Sequence, residues 1–287
     1  MKAITRICHQ IVLYASLEEA LIEISKHLPW FRNFLPVPSD YGEDDEILIE
    51  RDGIRFKVNR SDYMQWYLFI NYPEPVINRA VDFAKDNCIF LDIGSNIGSF
   101  SLRLARKLNE RKVNNSKIIA FEPNNKVTNL FRMNQTINPD ISGNIELYQL
   151  AVSNNTGFAN FTYNSTNSGG GRITDDQDIE GDLVELVTLD EFLGAEVSSR
   201  VTFMKIDVEG NEPRVLEGAK NLIEKYRPVI YLEVTDEWYS KIGSSAWEVI
   251  NYFRELNYDL MWETNGSFKS LESLPSAFQF NMLCIPK

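Results

Sequence analysis

Residues 90–98 read Phe-Leu-Asp-Ile-Gly-Ser-Asn-Ile-Gly, and this stretch decides the fold class. An apolar run ends in an acid, a tight Gly-x-Asn-x-Gly turn follows, and helical periodicity covers residues 99–108. The order strand, glycine loop, helix is typical of the nucleotide-binding corner of a doubly wound α/β sheet. Glycines there allow a sharp turn and a close approach of the backbone to a ligand. A tight turn without a ligand is the alternative interpretation.

The acid in this stretch, Asp92, indicates which ligand suits the loop. A dinucleotide loop holds an anionic pyrophosphate at a helix N-terminus, and a carboxylate at the strand end would repel that group. The same carboxylate suits a ligand that carries an ammonium and a sulfonium. The loop therefore favours S-adenosylmethionine and methyl transfer. A nicotinamide-dependent oxidoreductase would also have glycines where Asn96 and Ser99 stand.

The composition predicts a folded, acidic protein. Its 287 residues are 44% hydrophobic and carry a formal net charge of −12. This length accommodates one large α/β domain with an extension, or two small domains. The charge argues against nonspecific nucleic-acid binding and against an anionic membrane surface, because no basic stripe is present. Solubility is the simpler explanation of the charge.

The three cysteines are too far apart to indicate a disulfide framework or a zinc site. Cys88 and Cys284 lie in apolar runs, so both are predicted core residues, and a reducing cytoplasm is the expected location. The start of the chain superficially resembles a signal peptide, but His9 and Gln10 interrupt its apolar run. We expect neither a signal sequence nor a membrane span.

Residues 1–85 are predicted to form an N-terminal helical and hairpin extension, and residues 86–287 the core domain. The extension should contain an amphipathic helix at residues 17–27 and a hairpin at residues 47–58, whose turn is Asp-Gly. A helix at residues 75–86 should lead into the core domain.

An aromatic cluster near the end of the extension includes Tyr63, Trp66 and Tyr67. We predict that the extension is a substrate cap and that Tyr63 and Trp66 contact a substrate, since aromatic rings stack on sugars. Packing in a core is the alternative for these rings.

From residue 88 onward strands and helices alternate, which predicts a mainly parallel sheet with helices on both faces. The predicted core strands are residues 89–93, 117–122, 145–152, 201–208 and 229–234, and the predicted helices are residues 99–108, 126–137, 189–193 and 213–225. Extra strands are expected at residues 158–163 and 183–188. Two last strands, at residues 258–262 and 280–285, are expected to pair antiparallel at one edge.

The ends of the second and third core strands carry further candidate cofactor contacts. Glu122 stands about 20 residues past the glycine loop, where an acid can accept both ribose hydroxyls of a nucleoside. Pro123 and Asn124 follow it and open the next helix; capping of that helix is the alternative role of Glu122. Ala151 and Val152 are small enough to leave a slot for adenine, with an ordinary strand end as the alternative.

Charged residues end the fourth and fifth core strands. Lys205, Asp207 and Glu209 alternate, so an extended strand would point all three to one side, towards the pocket. Lys205 is therefore a candidate substrate contact, and a structural ion pair between Lys205 and one acid is the alternative. With Glu233, the acids could form a carboxylate cluster around a reaction centre. Such a cluster offers oxygen ligands to a divalent cation, but the spacing matches no metal motif, and a metal is not favoured.

Three glycines at residues 169–171 precede Arg172 in the inserted segment. They predict a mobile lid or a surface of close approach, which makes Arg172 a candidate substrate contact. A flexible connector is the alternative. Both histidines precede the core domain, so a Ser-His-Asp hydrolase with its base in that domain is not expected.

Taken in order, several stretches resemble the signature blocks of FkbM-type methyltransferases. They are LDIGSNIG at residues 91–98, FEP at 121–123, AVS at 151–153 with Gly157, TLD at 188–190 and KIDVEG at 205–210, followed by a similar stretch at 227–233. The resemblance covers residues 47–285. It implies a Rossmann-like class I fold: seven strands, the last of them antiparallel. It also implies S-adenosylmethionine-dependent O-methylation, often of a hydroxyl on a sugar or a polyketide-type product.

The resemblance also implies roles for single residues. By motif position, Asp92, Gly94, Asn96 and Gly98 would hold the methionine part of the cofactor, and Glu122 would hold its ribose. The product of the cofactor would be S-adenosylhomocysteine.

Asp207 would lie beside the transferable methyl group. A sugar hydroxyl is a weak nucleophile, so a general base should assist, and Asp207, Glu233 and Glu209 are the candidates in that order. The expected partner is a small-molecule or glycan acceptor, with no nucleic acid, and the oligomeric state stays open. The other functions considered are an NAD(P)-dependent oxidoreductase and a noncatalytic cofactor-binding interaction module.

Overall fold

The computed structural model describes residues 2–164, 166–174, 181–194, 200–264, 266–273, 275 and 279–287, with the backbone alone for residues 2–5. The chain divides into two compact units. Unit 1 comprises Met1–Pro73 and Asn164–Gly169, and unit 2 comprises Glu74–Tyr163 and Gly170–Lys287.

Unit 1 is built from helices and one hairpin. Its elements are α1 (Lys2–Tyr14), α2 (Glu18–His27), 3-10 helices at Pro29–Phe34 and Pro38–Asp40, β1 (Glu46–Arg51), β2 (Ile54–Asn59) and α3 (Tyr63–Phe69). The predicted helix at residues 17–27 is present as α2. The predicted hairpin is present as β1–β2, and Asp52 and Gly53 at its turn both have positive φ. This geometry matches a two-residue turn that follows the twist of the strands.

Unit 2 holds the remaining helices, together with a 3-10 helix at Ser142–Asn144. The helices are α4 (Val76–Asp82), α5 (Ser99–Glu110), α6 (Asn125–Thr136), α7 (Leu189–Leu193), α8 (Glu212–Glu217), α9 (Lys220–Tyr226), α10 (Asp236–Lys241) and α11 (Ala246–Glu255). The predicted boundary after residue 85 differs from the observed one, because α4 packs on α5 and so belongs to unit 2.

The strands of the rest of the chain form two sheets. They are β3 (Cys88–Ile93), β4 (Lys117–Phe121), β5 (Ile145–Tyr148), β6 (Ala151–Val152), β7 (Gly157–Asn164), β8 (Asn167–Thr174), β9 (Asp182–Val187), β10 (Arg200–Ile206), β11 (Val229–Thr235), β12 (Tyr258–Thr264), β13 (Ser267–Ser270) and β14 (Gln279–Pro286).

The main sheet has the order β13-β12-β14-β11-β10-β3-β4-β5. Strands β11, β10, β3, β4 and β5 are parallel to their neighbours in this series, and β14 is antiparallel to both β11 and β12. This arrangement confirms the predicted Rossmann-like α/β sheet with its last strand antiparallel. The edge strand β13 is an eighth strand that the resemblance did not predict; it pairs antiparallel with β12.

The predicted single strand at residues 145–152 is wrong. It divides into β5 in the main sheet and β6 in a second sheet of order β6-β9-β7-β8. The reason is that the neighbouring β4 ends at Phe121, opposite Tyr148, so the chain has no further strand to pair with there. The predicted inserted strands are present as β7 and β9, which pair antiparallel.

The predicted helix at residues 213–225 is also wrong as one element, since α8 and α9 are separate. Gly218 ends α8, and a Cβ added to it would lie 2.0 Å from the carbonyl oxygen of Ser153. This close approach of two backbones is a tertiary contact that forces the break. Helices α10 and α11 were not predicted, although α11 buries a periodic apolar face at Val249, Ile250 and Phe253.

A large apolar cluster lies between the main sheet and helices α8, α9, α10 and α11. Cys88 and Cys284 are buried and free, which confirms that they are core residues. Within the described residues, no helix combines the length and the apolar character needed to cross a membrane.

Candidate active site

The glycine loop after β3 folds against the carboxyl ends of β4 and β10. The backbone N–H groups of Gly94 and Ser95 both donate to the carbonyl of Phe121 at 3.0 Å. Gly94 has a φ of +79°, and a Cβ added to it would lie 1.8 Å from the carbonyl oxygen of Asp207. Only glycine fits here, because the backbone of the neighbouring strand end already fills that space.

The second glycine of the loop, Gly98, is also explained by contacts within the protein. It precedes α5 with a φ of +86°, and an added Cβ would lie 2.2 Å from a ring carbon of Phe131 on α6. Asn96 has a φ of +48°, and its side-chain oxygen accepts from the N–H of Ile97 at 2.7 Å. The assignment of these loop residues to a cofactor's methionine part stays a prediction.

Asp92 is fully buried in β3. Its Oδ2 accepts from the hydroxyl of Ser101 at 2.6 Å, and its Oδ1 lies 3.9 Å from Nζ of Lys205. Burial raises the pKa of Asp92 to about 6, although Lys205 opposes the shift. The cation that this carboxylate faces here is therefore a lysine of the same chain, a partner that sequence reasoning did not predict.

Two buried polar atoms beside the glycine loop lack hydrogen-bond partners in the part of the chain that the structure describes. They are Oδ1 of Asp92 and the hydroxyl of Ser95. Buried polar atoms nearly always form hydrogen bonds in proteins, so an acceptor and a hydroxyl without a hydrogen bond mark a place where a polar ligand would gain contacts.

Glu122 ties the end of β4 to the glycine loop. Its Oε2 accepts from the N–H of Asn96 at 2.9 Å, and its Oε1 accepts from the N–H of Asn124 at 3.0 Å. Burial raises the pKa of Glu122 to about 7 against the effect of these two hydrogen bonds. The helix-capping role belongs to Asn124, whose side chain accepts from the first turn of α6, and Pro123 stands between the two.

Ala151 and Val152 form β6 and are both buried. The carbonyl of Val152 accepts from the side-chain amide of Asn211, which follows β10 and precedes α8. These contacts place the two small residues beside the turn that carries the acidic cluster. Their predicted role as an adenine slot stays a prediction.

The acids at the ends of β10 and β11 converge. One carboxylate oxygen from each of Asp207, Glu209 and Glu233 lies within 4.8 Å of the others. The prediction that these acids form a cluster is confirmed, but its reasoning is wrong: β10 ends at Ile206, and Glu209 adopts a φ of +55° in the turn. The turn, not an extended strand, brings Glu209 to the cluster.

The environment raises the pKa values of Glu209 and Glu233. Burial, reinforced by Glu233, raises the pKa of Glu209 to about 9. Burial and Asp207 raise the pKa of Glu233 to about 7, and the side-chain amide of Gln279 donates to Oε1 of Glu233. At neutral pH the carboxyl group of Glu209 is therefore protonated, and that of Glu233 is about half ionised.

Lys205 forms the ion pair that was the alternative to a substrate contact. Its Nζ lies 3.0 Å from Oδ2 of Asp207 and donates to the carbonyl of Gly94 at 3.4 Å, and the side chain is buried. Burial lowers the pKa of Lys205, but Asp207 and Asp92 outweigh it and raise the pKa above its ordinary value. Among the described residues, the polar partners of this ammonium are thus Asp207, Asp92 and the carbonyl of Gly94, and a substrate contact of Lys205 stays a prediction.

Sequence reasoning missed Glu212, which shapes the acidic turn. Its two carboxylate oxygens accept from the N–H groups of Val208 and Gly210, at 2.9 and 3.0 Å. The side chain is buried, and burial raises its pKa to about 8. The signal was available: a further acid directly before Pro213 marks the first turn of a helix.

The remaining predicted substrate residues lie in different units. Arg172 is on β8 in unit 2, with its guanidinium 4.8 Å from the ring centroid of Trp238. Trp66 is buried in unit 1 and donates to the carbonyl of Pro36, which agrees with the core-packing alternative. Tyr63, also in unit 1, is 45% exposed.

Comparison with protein families identifies the family of this chain. The FkbM methyltransferase domain model matches residues 92–260, more than half of the chain. The chain belongs to this family. The match begins at Asp92 and includes the glycine loop, Glu122 and the whole carboxylate cluster of this FkbM methyltransferase domain.

Two characterised relatives are methyltransferases. The FkbM-family chain is 25% identical over 158 residues to the hexuronic acid methyltransferase AglP of Haloferax volcanii. This alignment covers 55% of this chain and 60% of AglP. It is 27% identical over 199 residues to the methyltransferase sdnD of Sordaria araneosa. That alignment covers 58% of this chain and 73% of sdnD. The match thus spans about three fifths of the length of AglP.

Solved structures with a similar fold include an FkbM methyltransferase of Methylobacillus flagellatus KT. Its TM-score is 0.47 at 15% identity, and the match covers 70% of this chain and 43% of that one. An rRNA methylase of Streptococcus thermophilus has a TM-score of 0.44 at 12% identity, and the match covers 75% of this chain and 99% of the methylase. The family assignment rests on the family model. The expectation that this protein has no nucleic-acid partner stays a prediction.

Proposed function

We propose that this methyltransferase uses S-adenosylmethionine and methylates a hydroxyl of a sugar, a glycan or a related natural product. The observation that carries the proposal is the contact between the glycine loop and the end of β10. Gly94 packs on the backbone of Asp207, so the loop suited to a cofactor and the carboxylate cluster form one continuous surface at the carboxyl edge of the sheet.

The residues at the loop fit this cofactor. Among the described residues, Oδ1 of Asp92 and the hydroxyl of Ser95 are buried without a hydrogen-bond partner, so both can form a hydrogen bond to a ligand. Each carboxylate oxygen of Glu122 accepts one backbone N–H and retains a lone pair for a ribose hydroxyl. The residues proposed to hold the cofactor are Asp92, Gly94, Asn96, Gly98, Glu122, Pro123, Asn124, Ala151 and Val152.

When bound, S-adenosylmethionine supplies a methyl group on a positively charged sulfur. The chain's own contribution is to align the acceptor oxygen, exclude water and take the hydroxyl proton. Asp207 and Glu233 are the proton acceptors of this proposal. Glu209, with a pKa of about 9, instead keeps its proton and can donate a hydrogen bond to the acceptor. Asp207 or Glu233 would take the hydroxyl proton as the acceptor oxygen bonds to the methyl carbon, and the sulfur would keep the electrons of the broken C–S bond as neutral S-adenosylhomocysteine.

A sugar acceptor is supported by the name of the relative AglP, a hexuronic acid methyltransferase. Because this chain matches only part of AglP, a sugar as the methyl acceptor of this chain is a proposal. The substrate-cap role of unit 1 and a cytoplasmic location stay predictions. The oxygen ligands of the acidic cluster also suit a divalent cation, which is the less favoured variant of this mechanism.

A thermal-shift titration with S-adenosylhomocysteine tests the proposal, with NAD as the competing ligand. At 100 times its dissociation constant a ligand stabilises the protein by about 2.7 kcal/mol. We expect stabilisation by S-adenosylhomocysteine, weakened in Glu122→Ala and retained in the control Glu110→Ala, an exposed acid of α5. Stabilisation by NAD alone, or by neither ligand, would contradict the proposal. Cofactor binding without methyl turnover on any hydroxylated acceptor would favour the noncatalytic module.

A further inference from the structure

The guanidinium of Arg172 lies over an indole ring, and among the described residues no acid pairs with it. Its central carbon is 4.8 Å from the ring centroid of Trp238. In the described ranges Arg172 forms no hydrogen bond or ion pair. Stacking uses the face of the guanidinium and leaves the N–H groups at its edge available. Such an edge matches the planar oxygens of a carboxylate or the oxygens of a phosphate.

The indole ring holds this cation close to the carboxylate cluster. Trp238 belongs to α10, which directly follows the strand that carries Glu233. Its side chain also lies on the acidic turn: a Cβ added to Gly210 would be 2.7 Å from Cβ and 2.9 Å from Cε3 of Trp238. Gly210 follows Glu209 and has a φ of +99°, so the turn and the ring pack directly together. One indole therefore separates the guanidinium from the turn of the cluster.

The strand that presents Arg172 is well defined. The three glycines before it lie within β8, in contrast to the flexible-connector alternative. A Cβ added to Gly171 would lie 2.4 Å from Cζ of Phe161, a buried residue of the neighbouring β7. This close packing fixes the backbone next to Arg172 and thereby the start of its side chain.

We propose that Arg172 and Trp238 form a subsite for an anionic group of the acceptor, namely the carboxylate of an acidic sugar or the phosphate of a sugar phosphate. This inference rests on the proposed function and names its substrate class. The acidic cluster would repel an anion, whereas Arg172 attracts one. The positive charge of Arg172 and the negative charge of the acidic cluster therefore orient the acceptor. Its anionic group binds at Arg172, and a hydroxyl reaches Asp207 and Glu233.

The test is the binding of three matched sugars by saturation-transfer NMR, in the presence of S-adenosylhomocysteine. Methyl glucuronide, glucose 6-phosphate and methyl glucoside differ chiefly in the group at carbon 6, so the two acidic sugars distinguish carboxylate from phosphate. We expect at least one of them to bind about tenfold more tightly than the glucoside, as a charged hydrogen bond would provide. Arg172→Gln should remove this preference, and Arg172→Lys should keep part of it.

Arg254→Gln is the matched control, because Arg254 also stacks on a tryptophan, Trp247, at 5.2 Å. Arg254 lies in the last turn of α11. We expect the Arg254→Gln variant to prefer the acidic sugars as strongly as the wild type does. Equal binding of all three sugars, no binding of either acidic sugar, or an unchanged preference in Arg172→Gln would overturn the subsite. A separate titration with S-adenosylhomocysteine on the same samples reports on the proposed function itself. Cofactor binding without an anion preference would refute only the subsite.

Discussion

Nζ of Lys205 lies 3.0 Å from Oδ2 of Asp207 and connects the candidate base to the glycine loop. The same ammonium donates to the carbonyl of Gly94 and lies 3.9 Å from the buried carboxylate of Asp92. Residues of β3, of the turn after β10 and of the loop between β3 and α5 thus share one buried cation on β10. A change at Lys205 should therefore affect stability and catalysis together.

Replacement of Lys205 by methionine tests this relationship. It leaves Asp92, which has no solvent exposure, without its nearest cation. Removal of one partner from a buried ion pair costs about 3–5 kcal/mol, and we expect the free energy of unfolding in urea to fall by about 3 kcal/mol. Lys241→Met is the control, since Lys241 pairs with Glu237 on an exposed helix face and should cost under about 1 kcal/mol. Equal losses in both variants would contradict this account.

Replacement of Gly94 by alanine should destabilise the protein. The new Cβ would lie 1.8 Å from the carbonyl of Asp207, at a φ of +79° that side chains disfavour. We expect a loss of at least about 2 kcal/mol in the free energy of unfolding, together with weaker binding of S-adenosylhomocysteine. Gly143→Ala is the matched control, because nothing lies within 4 Å of its added Cβ. If Gly94→Ala melted like Gly143→Ala, the loop would be looser than described.

The free energy of unfolding should decrease as the pH rises from about 5 to about 8. The pKa of Glu209 is about 9 in the folded state, against an ordinary value of 4.5. Across this window the unfolded chain binds fewer protons than the folded one, so stability falls with increasing pH. Glu209→Gln should make the slope shallower by up to about 1.4 kcal/mol per pH unit.

Urea unfolding at several pH values measures this slope. The exposed Glu237→Gln should leave it unchanged. A steeper or unaltered slope in Glu209→Gln would show that the carboxyl of Glu209 ionises freely in the folded protein.

The rate of methyl transfer should rise with pH through about 7. Glu233 has a pKa of about 7, and only its ionised form can accept the hydroxyl proton of the acceptor. We expect Glu233→Gln to lower kcat about 100-fold or more and to remove this limb from the pH profile. If the limb persisted in Glu233→Gln and disappeared in Asp207→Asn, the assignment of the base would pass to Asp207.

Removal of divalent cations should leave methyl transfer unchanged. Lys205 already supplies a positive charge to Asp207, and the cluster spacing matches no specific metal motif. Turnover before and after treatment with EDTA, at constant cofactor and acceptor, measures the effect. Activity lost to EDTA and restored by Mg²⁺ would instead make Asp207, Glu209 and Glu233 metal ligands.

Local patterns in the sequence were sufficient to predict the main sheet. The apolar runs before Asp92 and Glu122, and the glycine turn between residues 94 and 98, depend only on neighbouring residues. The sequence therefore predicted the parallel strands, the antiparallel last strand and the ion pair of Lys205 as one of two alternatives. It missed α11, whose apolar spacing was readable, and β13, a short hairpin strand with little apolar character.

The contacts that make the site depend on residues far apart in the chain, and only the tertiary structure decided them. The sequence determined that acids stand at the carboxyl ends of β10 and β11, because charged residues at the end of apolar runs are a local pattern. It did not determine that a turn at positive φ brings Glu209 to Glu233, that Glu122 accepts from Asn96, or that Arg172 lies on Trp238. Those contacts arise when strand ends from distant segments meet at one edge of the sheet, a relation that local periodicity does not encode.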